Sequence, residues 1–488
     1  MYNDTICAIS TPAGIGGIAV VRVSGPAAIE ACSALFLPFK ASHQLDARPS
    51  HTLTFGQLVD PRSHEVIDEV VVSLYRAPHS FTGEDVVEIS CHGSVYIQQR
   101  VLEVLCAVEV AMGRSIEGSK DRLIDGSMDQ SVGEAKALVR LAEPGEFTRR
   151  AFASGRFDLA QAEAVADLIS AQSAASHRLA MQQMKGSVSQ KLASLHDQLL
   201  QLTALLELEL DFSEEDVEFA DRTRLINLAH DIDDEVMRLA GTFQRGQAIK
   251  NGIPVAIIGA PNVGKSTLLN ALLREDRAIV SDIQGTTRDL IEDTITLQGY
   301  LFRFIDTAGI RHTTDQIEQL GIERSHQAAQ RAQIVLLITE PSIDYPEVEV
   351  RDDQQVIYIL NKVDRSIDGL MDRRIDVTKN RNLEASPLPI SAKTGQGLPQ
   401  LEAALVACVQ SDDTQSSVIL TNARHHEALL SAHEALQRVL SGLSSQLSNE
   451  FVDMDLKDVI AALNQILGRE ITSQNTLNTI FRQFCIGK

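Results

Sequence analysis

A glycine-rich segment at residues 259–267, GAPNVGKST, has the residue types and spacing of a phosphate-binding loop. It follows the apolar run 253–259 (IPVAIIG), which predicts a buried strand, and it precedes TLLNALL, which predicts a helix. In this context the glycines let backbone N–H groups surround phosphates, Lys265 reaches the β- and γ-phosphate oxygens, and the Ser266 hydroxyl binds Mg²⁺. The segment therefore predicts a site for a nucleoside triphosphate.

Three later motifs, each after an apolar run, indicate that the nucleotide base is guanine. At 306–309 (DTAG), Asp306 can hold Mg²⁺ through water. At 361–364 (NKVD), the Asp364 carboxylate can accept hydrogen bonds from guanine N1–H and the 2-amino group, which adenine cannot offer. At 391–393 (SAK), the backbone would close over the base. Four motifs in this order, each at the carboxyl end of a predicted parallel strand, predict a GTP site.

Hydrolysis of GTP is a narrower prediction than binding. The residue after 306–309 is Ile310, where Ras-like proteins place a Gln that orients the attacking water, and an apolar side chain cannot do so. Oxygen atoms of Asn262 and of residues 281–287 (SDIQGTT) could instead hold a monovalent cation near the bridge between the β- and γ-phosphates, where its charge would stabilise the transition state. Glu318 is a candidate to place the water, although a solvated helix carboxylate is more common at such a spacing.

All of these segments contribute to the predicted GTP site. The glycine-rich loop faces the phosphates, and the later segments face the magnesium ion and the base. The predicted contacts are Asn262, Val263, Gly264, Lys265, Ser266, Thr267, Ser281, Asp282, Ile283, Gln284, Gly285, Thr286, Thr287, Asp306, Thr307, Ala308, Gly309, Asn361, Lys362, Val363, Asp364, Ser391, Ala392 and Lys393.

The sequence around these motifs divides into regions in which the apolar residues have different spacing. Residues 1–145 predict an α+β domain with a helix at 95–108. Helical spacing runs from 159 to 210, and it returns over 425–484 with one break near Gly468. Two helical blocks on either side of the nucleotide motifs predict a helical domain interrupted by an inserted α/β module. The predicted N-terminal domain is 1–145, with a polar insertion at about 107–140. The two parts of the predicted helical domain are 146–250 and 411–488, and the inserted domain between them is 251–410.

The composition limits the classes to which the chain can belong. Its 488 residues predict two to four domains, a hydrophobic share of 44% predicts a soluble globular protein, and no apolar run approaches the roughly 18 residues that span a bilayer. Six cysteines without a C-x-x-C pair, and an amino terminus without a basic leader, predict a reducing cytoplasm. The formal net charge is −22, so the phosphates of any RNA partner must be met by a local patch or by a second protein.

Seven sequence features form a specific combination. They are Asn262, 285–289 (GTTRD), 484–488 (FCIGK), 12–25 (PAGIGGIAVVRVSG), 80–93 (SFTGEDVVEISCHG), 144–152 (PGEFTRRAF) and 158–169 (DLAQAEAVADLI). Together they resemble the MnmE (TrmE) family of tRNA modification GTPases over nearly the whole chain. The resemblance implies a folate-binding N-terminal α+β domain that forms a homodimer, a discontinuous all-α helical domain, and a Ras-like α/β P-loop G domain inserted between its halves.

The resemblance implies further roles at matching positions. Thr287 would join Ser266 on Mg²⁺, and Glu318 would act on the hydrolytic water when two G domains meet face to face. Cys485 would belong to the tRNA-modifying site with a catalytic role, the alternative being an inert terminal residue. Potassium would be held by Asn262, Ser281, Ile283 and Thr286. A folate of the 5-formyltetrahydrofolate type would be bound by Arg22, Glu88, Lys488 and Arg156, the last at a position where the family usually has Lys.

By resemblance the chain is a cytoplasmic, K⁺- and Mg²⁺-dependent GTP hydrolase that works in a heterotetramer with an FAD-dependent MnmG (GidA) protein. The pair would add a carboxymethylaminomethyl or aminomethyl group at C5 of the wobble uridine in the tRNA anticodon loop, with folate supplying a one-carbon unit. Two alternatives stay open: an Era-like ribosome-assembly GTPase, which shares the G motifs, and a non-enzymatic folate-binding protein in which GTP controls a clamp.

The chain departs from the family pattern at two places. Residues 91–94 are CHGS where the family more usually has GHGG, which would alter a turn near the folate. Residues 107–140 are longer than the family pattern needs. This extra length predicts either a surface loop or a shift of the folate site or dimer interface.

Overall fold

The structure is a computed structural model of the whole chain. It describes residues 2–108, 139–211, 222–275, 293–305, 327–346, 348–365, 387–410, 418–445, 447–469, 474–482, 484 and 487. The chain forms two compact units. The first unit comprises Met1–Ala166 and Asn464–Lys488, and the second comprises Asp167–Leu463. The domain boundaries given above stay predictions.

The first unit is built on a seven-stranded sheet. Its strands are β1 (Thr5–Ile9), β2 (Gly16–Ser24), β3 (Phe36–Pro38), β4 (Thr52–Val59), β5 (Val66–Tyr75), β6 (Val86–Gly93) and β7 (Val139–Leu141). Their order is β3-β4-β5-β6-β2-β1-β7, antiparallel except for β7, which runs parallel to β1. The chain thus returns to the edge of this sheet directly after residues 109–138, which lie outside the described residues.

The second unit contains a six-stranded sheet. Its strands are β8 (Ile253–Ile258), β9 (Asp293–Leu297), β10 (Tyr300–Phe304), β11 (Ile334–Thr339), β12 (Gln355–Leu360) and β13 (Leu388–Pro389). Their order is β13-β12-β11-β8-β10-β9, and all pairs are parallel except that of β9 with β10. The four strands that precede the nucleotide motifs are therefore parallel, which confirms the prediction from their apolar runs.

The helices follow the predicted blocks with more breaks than the sequence indicates. They are α1 (Ala28–Ser33), α2 (Val95–Cys106), α3 (Glu146–Ala153), α4 (Leu159–Ser170), α5 (Ala174–Met184), α6 (Ser187–Asp211), α7 (Arg222–Gly241), α8 (Phe243–Asn251), α9 (Lys265–Glu275), α10 (Leu398–Gln410), α11 (Ala423–Ser444), α12 (Asn449–Leu467) and α13 (Gln474–Phe481). Within the described ranges, no helix is both long and apolar enough to span a bilayer.

Two of these breaks have visible local causes. Ser173 and Ser176 form a reciprocal capping box that starts α5, and Gly186, with φ of +87°, separates α5 from α6. The break near Gly468 is confirmed, and Gly468 has φ of +70°. A second break is present, since α11 ends at Ser444 and α12 begins at Asn449, and the apolar spacing did not indicate it.

The two faces of the first sheet differ, and this difference positions the candidate sites. Side chains of Val21, Val23 and their neighbours in other strands form an apolar core with α1 and α2. On the opposite face Phe147 of α3 packs against Ile6 and Ala8 of β1. This second face is therefore covered by α3 at the β1 end of the sheet.

Candidate functional site

The phosphate-binding loop lies between β8 and α9, as its motif requires. Asn262 and Gly264 adopt positive φ angles of +63° and +104°, which turn the loop back on itself. A Cβ at Gly264 would lie 2.3 Å from Nδ2 of Asn361, so both the backbone angle and the close approach require glycine. Lys265 donates from Nζ to the carbonyls of Gly259, at 2.7 Å, and Ala260, at 2.9 Å, and burial lowers the pKa of its ammonium group.

Asn361 joins three motifs at the carboxyl edge of the second sheet. Its side chain is buried, donates from Nδ2 to the Val263 carbonyl at 2.8 Å, and accepts at Oδ1 from the Ala392 N–H at 3.0 Å. The phosphate-binding loop, the 361–364 motif and the 391–393 motif are therefore held together by one amide. The sequence placed Asn361 among the GTP contacts, and the structure gives it the role of a brace between loops.

We expect Asn361→Ala to leave the buried Val263 carbonyl and Ala392 N–H without these partners. The free energy of unfolding of the second unit should fall by about 2 kcal/mol, and the dissociation constant of GDP should rise roughly tenfold. Urea unfolding and titration with a fluorescent GDP analogue measure the two effects. Asn251→Ala, which removes one exposed side-chain bond to Gln247, is the matched control. Wild-type GDP affinity in Asn361→Ala would show that the brace is dispensable.

The two motifs that the sequence predicts to contact the base, 361–364 and 391–393, lie side by side. Strands β12 and β13 pair with Leu360 opposite Pro389, so the loops that follow them leave the sheet together. Ser391 donates from Oγ to Oδ1 of Asp364 at 2.7 Å, and this hydrogen bond holds the pKa of Asp364 below its ordinary value of 3.8. The carboxylate is thus ionised at neutral pH, and the hydrogen bond from Ser391 fixes the position of one of its oxygens.

Lys362 points toward the phosphate-binding loop. Its Nζ donates to the Asn262 carbonyl at 2.7 Å and forms an ion pair with Glu340. Glu340 was not among the predicted site residues, because it belongs to none of the four motifs. The available signal was its position, since it follows the apolar run of β11 as the other motifs follow their strands.

A second cluster lies on the partly open face of the first sheet. Arg22 and Glu88 are opposite each other in β2 and β6, and Arg22 donates from Nε at 2.9 Å and from one NH2 group at 2.7 Å to Oε1 of Glu88. The Arg22 guanidinium lies 5.1 Å from the ring centre of Phe81 and 5.7 Å from that of Phe147. Arg156 lies 5.8 Å from the same Phe81 ring, so two cations share one aromatic side chain.

A pocket with a volume of about 500 Å³ lies beside this cluster. Its volume is within the usual range for small-molecule sites. Among the described residues, its lining contains aromatic, imidazole and guanidinium groups and no carboxylate, so the pocket suits an aromatic anion. The lining residues are His51, Tyr75, Pro78, His79, Ser80, Phe81 and Arg156.

The carboxyl-terminal segment is anchored next to the same cluster. Ser10 donates from Oγ to the Gly487 carbonyl at 3.1 Å, and a Cβ at Gly487 would lie 2.2 Å from the Ile9 carbonyl. Ile9 ends β1, and the residue before it lies opposite Arg22. Phe484 packs in an apolar cluster with Phe481 of α13. The structure thus places Gly487 at the end of β1, the strand that pairs with the Arg22-bearing strand β2.

Some predicted site residues lie outside the described residues, and their roles stay predictions. In the G domain these are Ser281, Asp282, Ile283, Gln284, Gly285, Thr286, Thr287, Asp306, Thr307, Ala308, Gly309 and Glu318. At the carboxyl terminus they are Cys485 and Lys488. The predicted residues that the structure does bring together are the phosphate-binding loop, 361–364 and 391–393 in the second unit, and Arg22, Glu88 and Arg156 in the first.

Two family models match this chain. The MnmE helical domain matches residues 159–485, and the GTP-binding protein TrmE N-terminus matches residues 5–156. The tRNA modification GTPase MnmE of Parabacteroides distasonis is 49% identical over 496 residues, an alignment that covers 99% of this chain and 100% of that protein. The proteins of the same name from Bacteroides thetaiotaomicron and Porphyromonas gingivalis are 47% and 44% identical, with 100% of this chain and 100% and 98% of those proteins covered.

Proposed function

Because this chain belongs to the MnmE family of tRNA modification GTPases, we propose that it hydrolyses GTP to drive modification of the tRNA wobble uridine. With an FAD-dependent partner of the MnmG (GidA) type, it would install a carboxymethylaminomethyl or aminomethyl group at C5. The observation that carries the proposal is the joining of three guanine-nucleotide motifs by Asn361, in a chain that aligns with MnmE relatives over its full length. Family membership decides against the Era-like alternative.

The nucleotide site fits GTP with Mg²⁺. The Lys265 ammonium group donates to carbonyl groups of the loop, from which it can turn to phosphate oxygens. Ser266 lies in the first turn of α9, whose N-terminus faces the loop. Magnesium, when bound by Ser266 and Thr287, would neutralise charge on the β- and γ-phosphates. Asp364, ionised and braced by Ser391, would select guanine.

Hydrolysis is proposed to depend on K⁺ and on Glu318. Asn262, with its left-handed backbone at the top of the loop, would contribute to the K⁺ site together with Ser281, Ile283 and Thr286. The cation would supply the positive charge that an arginine supplies in other GTPases. Glu318 would position the water once two G domains have met. GTP hydrolysis by the purified chain is therefore expected to be faster in KCl than in NaCl.

The cluster around Arg22 fits a folate. Glu88 would accept hydrogen bonds from the donor groups of the pterin ring. Arg22, Arg156 and, by the family resemblance, Lys488 would pair with the glutamate carboxylates of the folate. Arg156 at a position usually occupied by Lys keeps the charge while placing its donors differently. The carboxyl-terminal segment, which reaches Ile9 and Ser10, would bring Cys485 to the one-carbon unit.

The open part of the same sheet face supports a homodimer. Leu37, Leu53 and Phe55 are more than half exposed, at 58%, 66% and 53%. Leu53 lies in the same cross-strand row as Glu88 and Arg22, through Ser73 of β5. A second copy covering this apolar surface would place the dimer interface next to the folate site.

The negative net charge of the chain affects how it can contact tRNA. With a net charge of −22, the chain repels RNA phosphates at long range, so we propose that the MnmG-type partner makes many of the contacts to the tRNA anticodon loop. Chemistry at a base in a loop needs that base exposed from its stack, which RNA loops permit. A bacterial cytoplasm is the proposed location.

Wobble-uridine nucleosides from a bacterial strain that lacks its own family member test the function directly. We expect mass spectrometry to show the modified uridine when the strain expresses this chain, and to show none with the Cys485→Ser variant. Modified uridine with both the wild-type chain and the Cys485→Ser variant would support the proposed pathway and show that Cys485 is not required for it. An absence of modification with either, while purified protein hydrolyses GTP, would contradict the proposed pathway.

Gly487→Ala tests the anchoring of the carboxyl-terminal segment. Gly487 has φ of +95° and its Cβ would collide with the Ile9 carbonyl, so alanine should displace the segment that carries Lys488. We expect the dissociation constant of 5-formyltetrahydrofolate to rise roughly tenfold, as measured by calorimetry. Gly395→Ala is the control, because Gly395 has a similar φ of +84° with open space around it. Equal folate affinity in both variants would show that the anchor is not needed.

A further inference from the structure

Glu340 touches the nucleotide site without belonging to any nucleotide motif. It is the first residue after β11, and its carboxylate pairs with the ammonium group of Lys362. The same ammonium donates to the Asn262 carbonyl at 2.7 Å. Lys362 thus connects the end of the central strand β11 to the top of the phosphate-binding loop.

The backbone around Glu340 is fixed on both sides. Strand β11 lies between β8 and β12 and is completely buried. Beyond it the chain closes a turn, in which Thr339 donates from Oγ1 to the Ile343 carbonyl at 2.7 Å and the Ile343 N–H donates to the Glu340 carbonyl at 3.0 Å. Ser342 donates to the other carboxylate oxygen of Glu340 at 3.3 Å. The carboxylate therefore has a defined position before Lys362 reaches it.

Strand pairing explains why the two charges meet. Strands β11 and β12 are parallel, with Thr339 opposite Leu360, so Glu340 and Lys362 leave neighbouring strands at the same edge of the sheet. The two side chains are 22% and 24% exposed. A half-buried pair of this kind contributes little to global stability, but it restricts a lysine side chain that otherwise has large rotamer freedom.

We propose that Glu340 is a positioning residue for guanine-nucleotide binding, which holds the Lys362 ammonium against the Asn262 carbonyl. The inference rests on the proposed GTP function of this site. In this position the aliphatic part of the Lys362 side chain is already ordered for contact with the base. The left-handed turn at Asn262 is also fixed before the nucleotide binds. Binding then avoids the entropic cost of ordering that side chain and that turn.

The first test compares Glu340→Gln with Glu349→Gln, an exposed carboxylate nearby whose removal changes the net charge equally. We expect the dissociation constant of a fluorescent GDP analogue to rise about tenfold in Glu340→Gln, as for loss of one charge-assisted hydrogen bond, and to stay within about twofold in Glu349→Gln. The thermal unfolding midpoints of both variants should equal that of the wild type. Glu340→Asp, which keeps the charge, should recover part of the affinity.

A double-mutant cycle separates positioning from a direct contact. If Glu340 acts through Lys362, Glu340→Gln should have no further effect on GDP affinity in a Lys362→Met background. Two effects that multiply in the double variant, or wild-type affinity in Glu340→Gln, would overturn the inference. A wild-type protein that fails to bind GDP would instead contradict the proposed function itself.

Discussion

Asp364→Asn is expected to change the nucleotide that the protein binds from guanine to xanthine. In the variant the amide nitrogen cannot accept from the guanine 2-amino group, and guanine N1–H donates to a neutral oxygen instead of an ionised carboxylate. One hydrogen bond to a charged group, worth roughly 1.5–3 kcal/mol, is lost and a second is weakened, while two amino groups face each other, so the dissociation constant of GDP should rise about 10³-fold. Xanthine has an oxygen at position 2, to which the new amide can donate while still accepting from N1–H. Affinity for XDP should increase correspondingly.

The structure indicates that this substitution changes the base contact without changing the loop that carries it. Ser391 can donate to the amide oxygen of the variant as it does to Oδ1 of Asp364, so the loop geometry should survive. Competition between fluorescent GDP and unlabelled GDP or XDP measures both affinities. Asp352→Asn, at an exposed position of the same unit, is the control and should leave both unchanged. A variant that still prefers GDP would mean that Asp364 does not face the base.

The phosphate and base motifs could be predicted closely because their chemistry is local in sequence. The backbone turn of 259–267 depends on glycine spacing within one loop, and the structure places that loop between a strand and a helix as expected. The contacts between motifs depend instead on strand register. The Asp364–Ser391 and Glu340–Lys362 pairs follow from β11, β12 and β13 lying side by side, which spacing alone does not specify.

Contacts in the first unit were harder to predict for the same reason. Ser10 and Gly487 meet although 477 positions separate them, and no local pattern indicates such a contact. The short strand β3 is a second example, since it begins at Phe36, only three residues after α1 ends at Ser33, and its pairing with β4 is not visible in the local pattern. The family resemblance named Arg22 and Glu88 for a folate site, which stays a proposal, and the register of β2 and β6 places these two residues opposite each other.

The buried ion cluster of α3 gives the largest expected effect on stability. Glu146 is completely buried and accepts hydrogen bonds from Arg140, Arg150 and the Glu143 N–H. Burial alone would disfavour its charge, but the bonds from Arg140, the Glu143 backbone and Arg150 outweigh burial and hold the pKa of Glu146 at about 2. Arg150, which is also buried, donates from Nη1 to the Asp4 carbonyl at 2.8 Å. Because Asp4 is the residue before β1, this cluster links α3 to the start of that strand.

We expect Glu146→Gln to lower the free energy of unfolding of the first unit by about 3 kcal/mol at pH 7. The reason is that the ionised carboxylate is stabilised in the folded state by the difference between an ordinary pKa of 4.5 and one of about 2. Native-state hydrogen exchange of peptides from β1 and β2 measures this unit separately from the other. Glu143→Gln, which removes an exposed carboxylate that pairs with Arg149, is the control and should cost less than about 1 kcal/mol.

The pH dependence of Glu146→Gln distinguishes loss of charge from loss of packing. Because the pKa is lowered by folding, the stabilisation is fully present above pH 4.5 and is lost as the pH falls toward about 2. The difference between wild type and variant should therefore shrink over that interval, whereas a packing defect would persist. Phe147, the next residue, lies under Arg22, so the loosened helix should also weaken 5-formyltetrahydrofolate binding. A stability difference that stays constant down to pH 2 would show that the charge of Glu146 does not fasten α3 to the sheet.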